Sequence, residues 1–283
     1  MIRVLHSVSN MDRAGIETML MNYYRRIDRD VLQFDFLANK PKPGDYDEEI
    51  RSMGGHIYVS PGLNPIRYPG YIKYMRQILA ADRDIAIVHA HNEAMGYYAL
   101  RGAERAGIKT RIAHAHNTRM QKNHTRLLDI YAAYMRRDPN SILVLIGEGE
   151  LEGAMREKAR ALGIADNVLF AGLQSRVDRW YQAMDVFLLP SLFEGLPVVG
   201  IEAQASGLAC IFSDAVTDEV VLSPRALRVP LTETDDGWAQ ALFTLAHGDF
   251  SREAGAEVVR DAGYDIVYEA QRIQQLYLEM SRR

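Results

Sequence analysis

The stretch from Phe193 to Ala205 reads Phe-Glu-Gly-Leu-Pro-Val-Val-Gly-Ile-Glu-Ala-Gln-Ala and sets two carboxylates, Glu194 and Glu202, around a predicted helix start. Proline suits the first helical position, where its missing N–H costs nothing, so Pro197 predicts the helix start. The backbone N–H groups of Gly195 and Leu196 are then open to an anion, and the helix dipole adds partial positive charge beside them. A diphosphate is the anion this turn would seat. Glu202 falls in the second turn among Val198, Val199, Ile201, Ala203 and Ala205. There an ionised carboxylate without partners is costly, and a hydroxyl-rich ligand would supply partners.

Histidines form the second constellation. His89-Ala90-His91 and His114-Ala115-His116 each end a predicted strand, and strand alternation puts each pair on one face. Four imidazoles would attract zinc or copper, yet no carboxylate or cysteine accompanies them at ligand spacing, so no metal is assigned. Substrate contact or proton shuttling is the use expected of at least one of them. Gly147, Gly149 and Gly153 imitate a dinucleotide fingerprint, but the third glycine comes one place late and Glu148, Glu150 and Glu152 crowd a turn that would receive a pyrophosphate. Asp235 and Asp236, beside Thr234, are better explained as helix-capping residues than as metal ligands.

The elements that must position these residues alternate along the chain. Strands are predicted near 2–6, 33–37, 56–59, 85–89, 111–115, 142–147, 168–172, 186–191, 209–213 and 227–230. Helices are predicted near 16–27, 45–53, 70–81, 93–106, 122–136, 149–162, 175–184, 197–206 and 233–247, with a wholly helical tail over 251–281. Apolar runs alternating with helix-length amphipathic segments give an α/β class, with parallel strands joined by crossover helices. Ligands of such sheets bind at the carboxyl ends of strands, where the histidines and Glu194 fall. With 48% hydrophobic and 25% charged residues and a net charge of −4, the chain has the composition of an ordinary globular protein and no basic excess for nucleic acid. The single cysteine, Cys210, fits a reducing compartment, and no stretch resembles a signal peptide or a membrane span. Arg67, Tyr68, Tyr71, Lys73, Tyr74 and Arg76 suit either an anionic lipid surface or a solvated helix face, which leaves peripheral membrane contact open.

The motif Phe193-Glu194-Gly195-Leu196-Pro197 with Glu202 eight places after Glu194 resembles the signature of retaining glycosyltransferases of family 4, a GT-B group that uses nucleotide-sugar donors. Ile146 to Leu151, Asn167 to Gly172, Ala183 to Ser191 and Gly207 to Ile211 resemble its donor-domain blocks in order and spacing. Gln121-Lys122-Asn123-His124 resembles the segment that carries its phosphate lysine, and Ala14-Gly15-Ile16-Glu17 its acceptor-domain glycine loop. The resemblance implies a GT-B fold of Rossmann-like parallel sheets with helices on both faces. It implies that Glu194 holds hydroxyls of the transferred sugar, Glu202 the ribose and Lys122 the diphosphate; Arg119 is a further cation for the phosphates, but it stands closer to Lys122 than the family pattern sets its phosphate arginine. Gly195 and Leu196 would offer N–H groups, and Gly172 and Leu173 would lie beside the base. His91 would act near the donor sugar, His116 would contact substrate, and Gly15 would approach the phosphates from the opposite lobe. No cofactor or metal is implied beyond the donor itself.

The lobes divide as 1–118 and 119–263, with a terminal helix over 264–283. Between Asn117 and Gln121 the chain lacks the end of the first lobe, the hinge and the first strand of the donor lobe that the family pattern calls for. Two arrangements follow: strand 111–115 takes the missing place beside strand 142–147 and the sheets merge, or the chain is an internally shortened copy with an impaired site. The expected function is cytoplasmic glycosyl transfer to a lipid-linked or polysaccharide-precursor acceptor, the alternative a non-catalytic nucleotide-sugar binder.

Overall fold

The computed structural model describes residues 1–283 except 62–67, 92, 115–122, 249–251, 253 and 283, and for Tyr68 and 93–95 the backbone alone. The chain forms two compact units, one of residues 1–118 with 265–283, the other of residues 119–264.

The first unit is a parallel sheet of β1 (Ile2–Val8), β2 (Leu32–Ala38), β3 (Ile57–Val59), β4 (Ile85–Ala90) and β5 (Thr110–Ala113), ordered β3-β2-β1-β4-β5. Its helices are α1 (Gly15–Tyr24), α2 (Asp47–Ser52), α3 (Tyr68–Ala81) and α4 (Glu93–Arg105). β2 is buried at every position, as befits a strand covered on both faces. Val4, Met21, Phe34 and Ile87 centre one core cluster, and Leu5, Met75, Val88 and Ala99 centre another.

The second unit holds α5 (His124–Met135), β6 (Leu143–Ile146), α6 (Glu152–Ala161), β7 (Val168–Gly172), α7 (Val177–Ala183), β8 (Val186–Leu189), α8 (Val198–Ala205), β9 (Ala209–Ser213), β10 (Ala226–Val229), α9 (Asp235–Ala246) and α10 (Gly255–Asp261). Its strands form two fragments, β6-β7 and β10-β9-β8, each parallel. One apolar cluster serves both, since Leu143 and Leu145 of β6 and Val186 and Leu188 of β8 pack against the group that contains Leu128, Tyr131, Trp238 and Leu242. β9, bonded on both sides, is wholly buried, whereas all four residues of β6 and the first three of β8 are only half-buried.

Two expectations are corrected here. β5 hydrogen-bonds to β4 and β6 to β7, so strand 111–115 does not take a place beside strand 142–147 and the sheets do not merge. The tail is not one helix: Gly263 takes φ +88°, a left-handed conformation that ends α10, and Asp265 then accepts a hydrogen bond from Val267 N at 2.8 Å to start α11 (Ile266–Ser281). α11 packs in the first unit, with Ala270 and Tyr277 in its core. Among the described residues, no helix is long and apolar enough to cross a membrane.

Candidate functional site

In the second unit the site is built on the carboxyl end of β8. The chain leaves β8 through buried Ser191, exposes Leu192 and Phe193, and turns Glu194 inward, where it is only 4% exposed. Ser191 Oγ donates to Glu194 Oε1 at 3.2 Å, and Ser213 Oγ at the end of β9 donates to the Ser191 carbonyl. A backbone bridge from Glu194 to Val216 fixes the turn. Burial of an acid at a strand end, beside two serines, makes a fixed acceptor for donors brought by a ligand.

Gly195 and Leu196 follow as an exposed turn. Pro197 is the N-cap residue of α8, with φ −74° and ψ 106°, and not its first helical residue. Among the described residues no side chain caps the helix, so the first-turn N–H groups at Val198 and Val199 lack the partner that a capping hydroxyl or carboxylate would give. That is an open anion position.

Glu202 is placed differently from expectation. The buried residues of α8 are Gly200, Ile201, Ala203 and Gln204, while Val198 and Glu202, four apart, share its exposed stripe. Of the two acids it is therefore Glu194 that is enclosed and Glu202 that reaches solvent. Tyr181 Oη still donates to Glu202 Oε2 at 3.3 Å. The burial that Glu202 does experience raises its pKa, and the Tyr181 hydrogen bond offsets part of that rise. Gly172, at φ +63°, ends β7 and accepts at its carbonyl from Gly147 N at 2.9 Å, and Leu173 beyond it is exposed. Gln204 was not singled out from sequence, yet it is 1% exposed and all its amide atoms are engaged. It donates to the Gly200 and Val220 carbonyls and accepts from Leu222 N and Ser223 N, tying α8 to the loop after β9. A glutamine in an apolar helix face was the available signal.

In the first unit, His6, His89 and His91 lie at the carboxyl ends of β1 and β4, at 0%, 7% and 2% exposure. His6 pairs in register with His89 across the two strands, which is why His6 belongs with the His-Ala-His set although it is distant in sequence. His6 Nδ1 and His91 Nε2 share a hydrogen bond of 3.0 Å, and His89 Nδ1 and Tyr277 Oη share one of 2.6 Å. Burial drives the His6 pKa well below its ordinary value, and His89 adds to the effect, so His6 is neutral at pH 7. His114 stands at the exposed rim, its pKa lowered by partial burial. Gly15 opens α1 in an exposed position with nothing near its absent side chain. His116, Arg119 and Lys122 lie outside the described residues.

The basic aromatic set is only partly a surface feature: Tyr71 is fully buried, while Lys73 and Arg76 are exposed, and Arg67 lies outside the described residues. Thr234 caps α9 by accepting from Gly237 N at 3.0 Å, and Asp235 and Asp236 pair with Arg126 and Arg136, in keeping with a capping and ion-pairing use.

Residues 110–247 match the family model described as "Glycosyl transferases group 1". The glycosyltransferase-family protein EpsF of Bacillus subtilis (strain 168) is 30% identical over 356 residues, covering 93% of each chain. The UDP-Gal:alpha-D-GlcNAc-diphosphoundecaprenol alpha-1,3-galactosyltransferase of Escherichia coli is 28% identical over 50% of this chain and 38% of its own length. Among solved structures, the lipopolysaccharide outer core galactosyltransferase WaaB in its apo form superposes with a TM-score of 0.71 at 16% identity, covering 99% of this chain and 100% of that one. A strand-end acid before an uncapped helix, in a chain similar to EpsF along nearly its whole length, therefore has a family: the protein belongs to the group 1 glycosyltransferases, with the α/β architecture of the GT-B fold.

Proposed function

We propose that the chain is a retaining, metal-independent family 4 enzyme that moves a hexose from a nucleoside diphosphate sugar to a polysaccharide-precursor or lipid-linked acceptor. The acceptor oxygen bonds to the anomeric carbon, the bond to the diphosphate breaks, and the acceptor's proton leaves with the diphosphate or to solvent. Negative charge on the leaving group is the main electrostatic demand, met by the N–H groups of Gly195 and Leu196, the open first turn of α8, Lys122 and Arg119. Glu194 holds sugar hydroxyls, Glu202 the ribose, and Gly172 and Leu173 flank the base. His91 acts beside the donor sugar, with His116 and Gly15 as further substrate contacts. The observation that carries this reading is Glu194, a carboxylate at 4% exposure held by Ser191 directly ahead of an uncapped helix.

The Escherichia coli relative's name supports trying a uridine diphosphate sugar first, with a diphosphate-linked lipid acceptor. The exposed Lys73 and Arg76 on α3 support peripheral contact with an anionic membrane face, on its cytoplasmic side. The alignment with EpsF is longer than the 283-residue chain itself, and the second unit's strands form two fragments. Both support an internal shortening near residue 118 that removes a strand from between β6 and β8.

The test is release of nucleoside diphosphate from a panel of uridine and guanosine diphosphate sugars, with thermal shift measured in parallel. Wild-type protein should bind and turn over, and Glu194→Ala and Lys122→Ala should suppress release. Binding without turnover across the panel would overturn the enzyme in favour of a nucleotide-sugar binder. Absence of both would overturn the site.

A further inference from the structure

We propose that His6, His89 and His91 form a binding site for one late first-row divalent cation, such as Zn²⁺ or Co²⁺, with His114 or water completing its coordination. The fold gathers these rings by register alone. His6 lies opposite His89 on paired strands, His91 follows on the same face of its strand, and His114 continues β5 beside β4. One ligand atom from each of His6, His89 and His91 lies within 4.8 Å of the others. The His6 Nδ1 to His91 Nε2 separation is 3.0 Å. Two nitrogens at the usual Zn–N length of about 2.0–2.1 Å on a tetrahedral ion stand roughly 3.3 Å apart, so a few tenths of an ångström of relaxation admits the ion.

Chemistry favours the same conclusion. The His6 ring packs against Phe34, Phe36 and Tyr277, which hold it in place beside His89 and His91. Among the described residues no hydrogen-bond partner meets the buried His6 Nε2, so that nitrogen is left to carry the ring proton while Nδ1, the atom beside His91, takes the ion. Tyr277 Oη, 2.6 Å from His89 Nδ1, can accept the proton there and leave the lone pair on Nε2, which is the outer-shell support that metal-ligating histidines use. His114 gives an entry side: it is exposed, and its ring centre lies 5.6 Å from that of His89 and 5.5 Å from that of His91. A second group, Asp35, His56 and Asp82, has comparable spacing, but Arg3 already occupies Asp35 through two hydrogen bonds of 2.6 and 2.5 Å. It serves as the control.

Only the consequence for turnover, inhibition by holding His91 on the ion, rests on the role proposed above for that ring. Binding is measured without any nucleotide sugar, so failure of the metal site and failure of the transferase reading are separate results. Chelator-stripped full-length protein is titrated with Co²⁺ and followed by visible absorption. One equivalent should give the intense bands of a low-coordinate nitrogen site, and Zn²⁺ should displace it. His6→Gln, shown folded by circular dichroism, should abolish the signal. Tyr277→Phe should weaken binding about 10-fold or more, and His56→Ala should leave it unchanged. Should His6→Gln not fold, imidazole nitrogen NMR of the wild-type protein with Zn²⁺ gives the same answer, with shifts confined to His6, His89, His91 and His114. No cobalt signal, a signal that survives His6→Gln, loss in His56→Ala, or zinc shifts at other histidines would overturn the site.

Discussion

Replacing Gly200 by alanine tests whether the seat at the start of α8 depends on how closely that helix approaches β9. A Cβ at Gly200 would stand 2.7 Å from Phe212 Cε1, 2.9 Å from Phe212 Cζ and 3.1 Å from Val220 Cγ2. Phe212 and Val220 are fully buried, so neither has free space into which to withdraw. Two effects oppose each other. Alanine in place of glycine inside a helix is worth about 1 kcal/mol in propensity. An added methyl in a packed core costs about 1–3 kcal/mol, because a ring leaves its rotamer or a helix backs away. The contact falls below 3 Å at two ring atoms of a residue with no room to move, so the upper half of that range applies. The net loss is then about 1–2 kcal/mol, read as a lower urea midpoint with an unchanged slope. If α8 backs away, its first-turn N–H groups move with it. Losing one charge-assisted hydrogen bond, about 1.5 kcal/mol, weakens uridine diphosphate binding roughly 10-fold by calorimetry. Phe212→Leu should give back part of both losses in the double variant. A Gly200→Ala protein that is more stable than wild type, binds the nucleotide equally and shows no coupling to Phe212 would refute the close-approach reasoning.

Four further outcomes are expected. The raised pKa of Glu202 means that uridine diphosphate affinity falls as pH drops through that raised value, because the carboxylate must ionise to accept ribose hydroxyls; Glu202→Gln should flatten the profile measured by calorimetry. The same shift makes the unliganded protein lose stability as pH rises from the ordinary carboxyl value to the raised one, since the unfolded chain ionises first. Arg3→Met strands Asp35, a carboxylate at 0% side-chain exposure that now receives two short guanidinium hydrogen bonds, and should cost about 3–5 kcal/mol in urea unfolding. Gln204→Leu removes the three hydrogen bonds that tie α8 to the loop after β9, together with one to the Gly200 carbonyl of its own helix, and leaves the Val220 carbonyl and the Leu222 and Ser223 N–H groups unmatched. About 2–4 kcal/mol of stability should go, and nucleotide affinity should fall with it, whereas a variant that binds normally would show that the loop does not position α8.

Element order and most boundaries were legible because apolar runs and amphipathic segments alternate without interruption, and every predicted strand falls on an observed one within a few residues. What local pattern could not give was orientation about an axis or pairing across the sheet. Glu202 reads as one acid among aliphatic neighbours, but helical spacing puts it and Val198 on the outer stripe, while non-helical Glu194 folds under the turn. Gly263 divided the tail because its φ of +88° ends one helix, a choice an otherwise continuous amphipathic pattern conceals. His6 belongs to the histidine cluster only through strand register, information that resides in how β1 lies on β4 and not in either segment.

The middle of the chain carries the same lesson into energetics. A parallel strand buried on both faces has its backbone groups satisfied by neighbours on either side, as β9 does. Among the described residues β6 and β8 each have one bonded neighbour, and all four side chains of β6 and the first three of β8 are half-buried, although both rest on a single core cluster around Trp238 and Leu242. An edge of β-branched and aliphatic residues is a site for unwanted pairing unless charge or cover protects it, and β6 is Leu-Val-Leu-Ile with no charge in it. The proposed shortening thus predicts more than a slower enzyme. Restoring a short apolar strand with its linkers near residue 118 should raise the urea midpoint and reduce concentration-dependent association in sedimentation, even when the added sequence contributes no residue to the donor site. If the restored chain associates as strongly as before, the open edge is not what limits this unit, and the two fragments are stable as they stand.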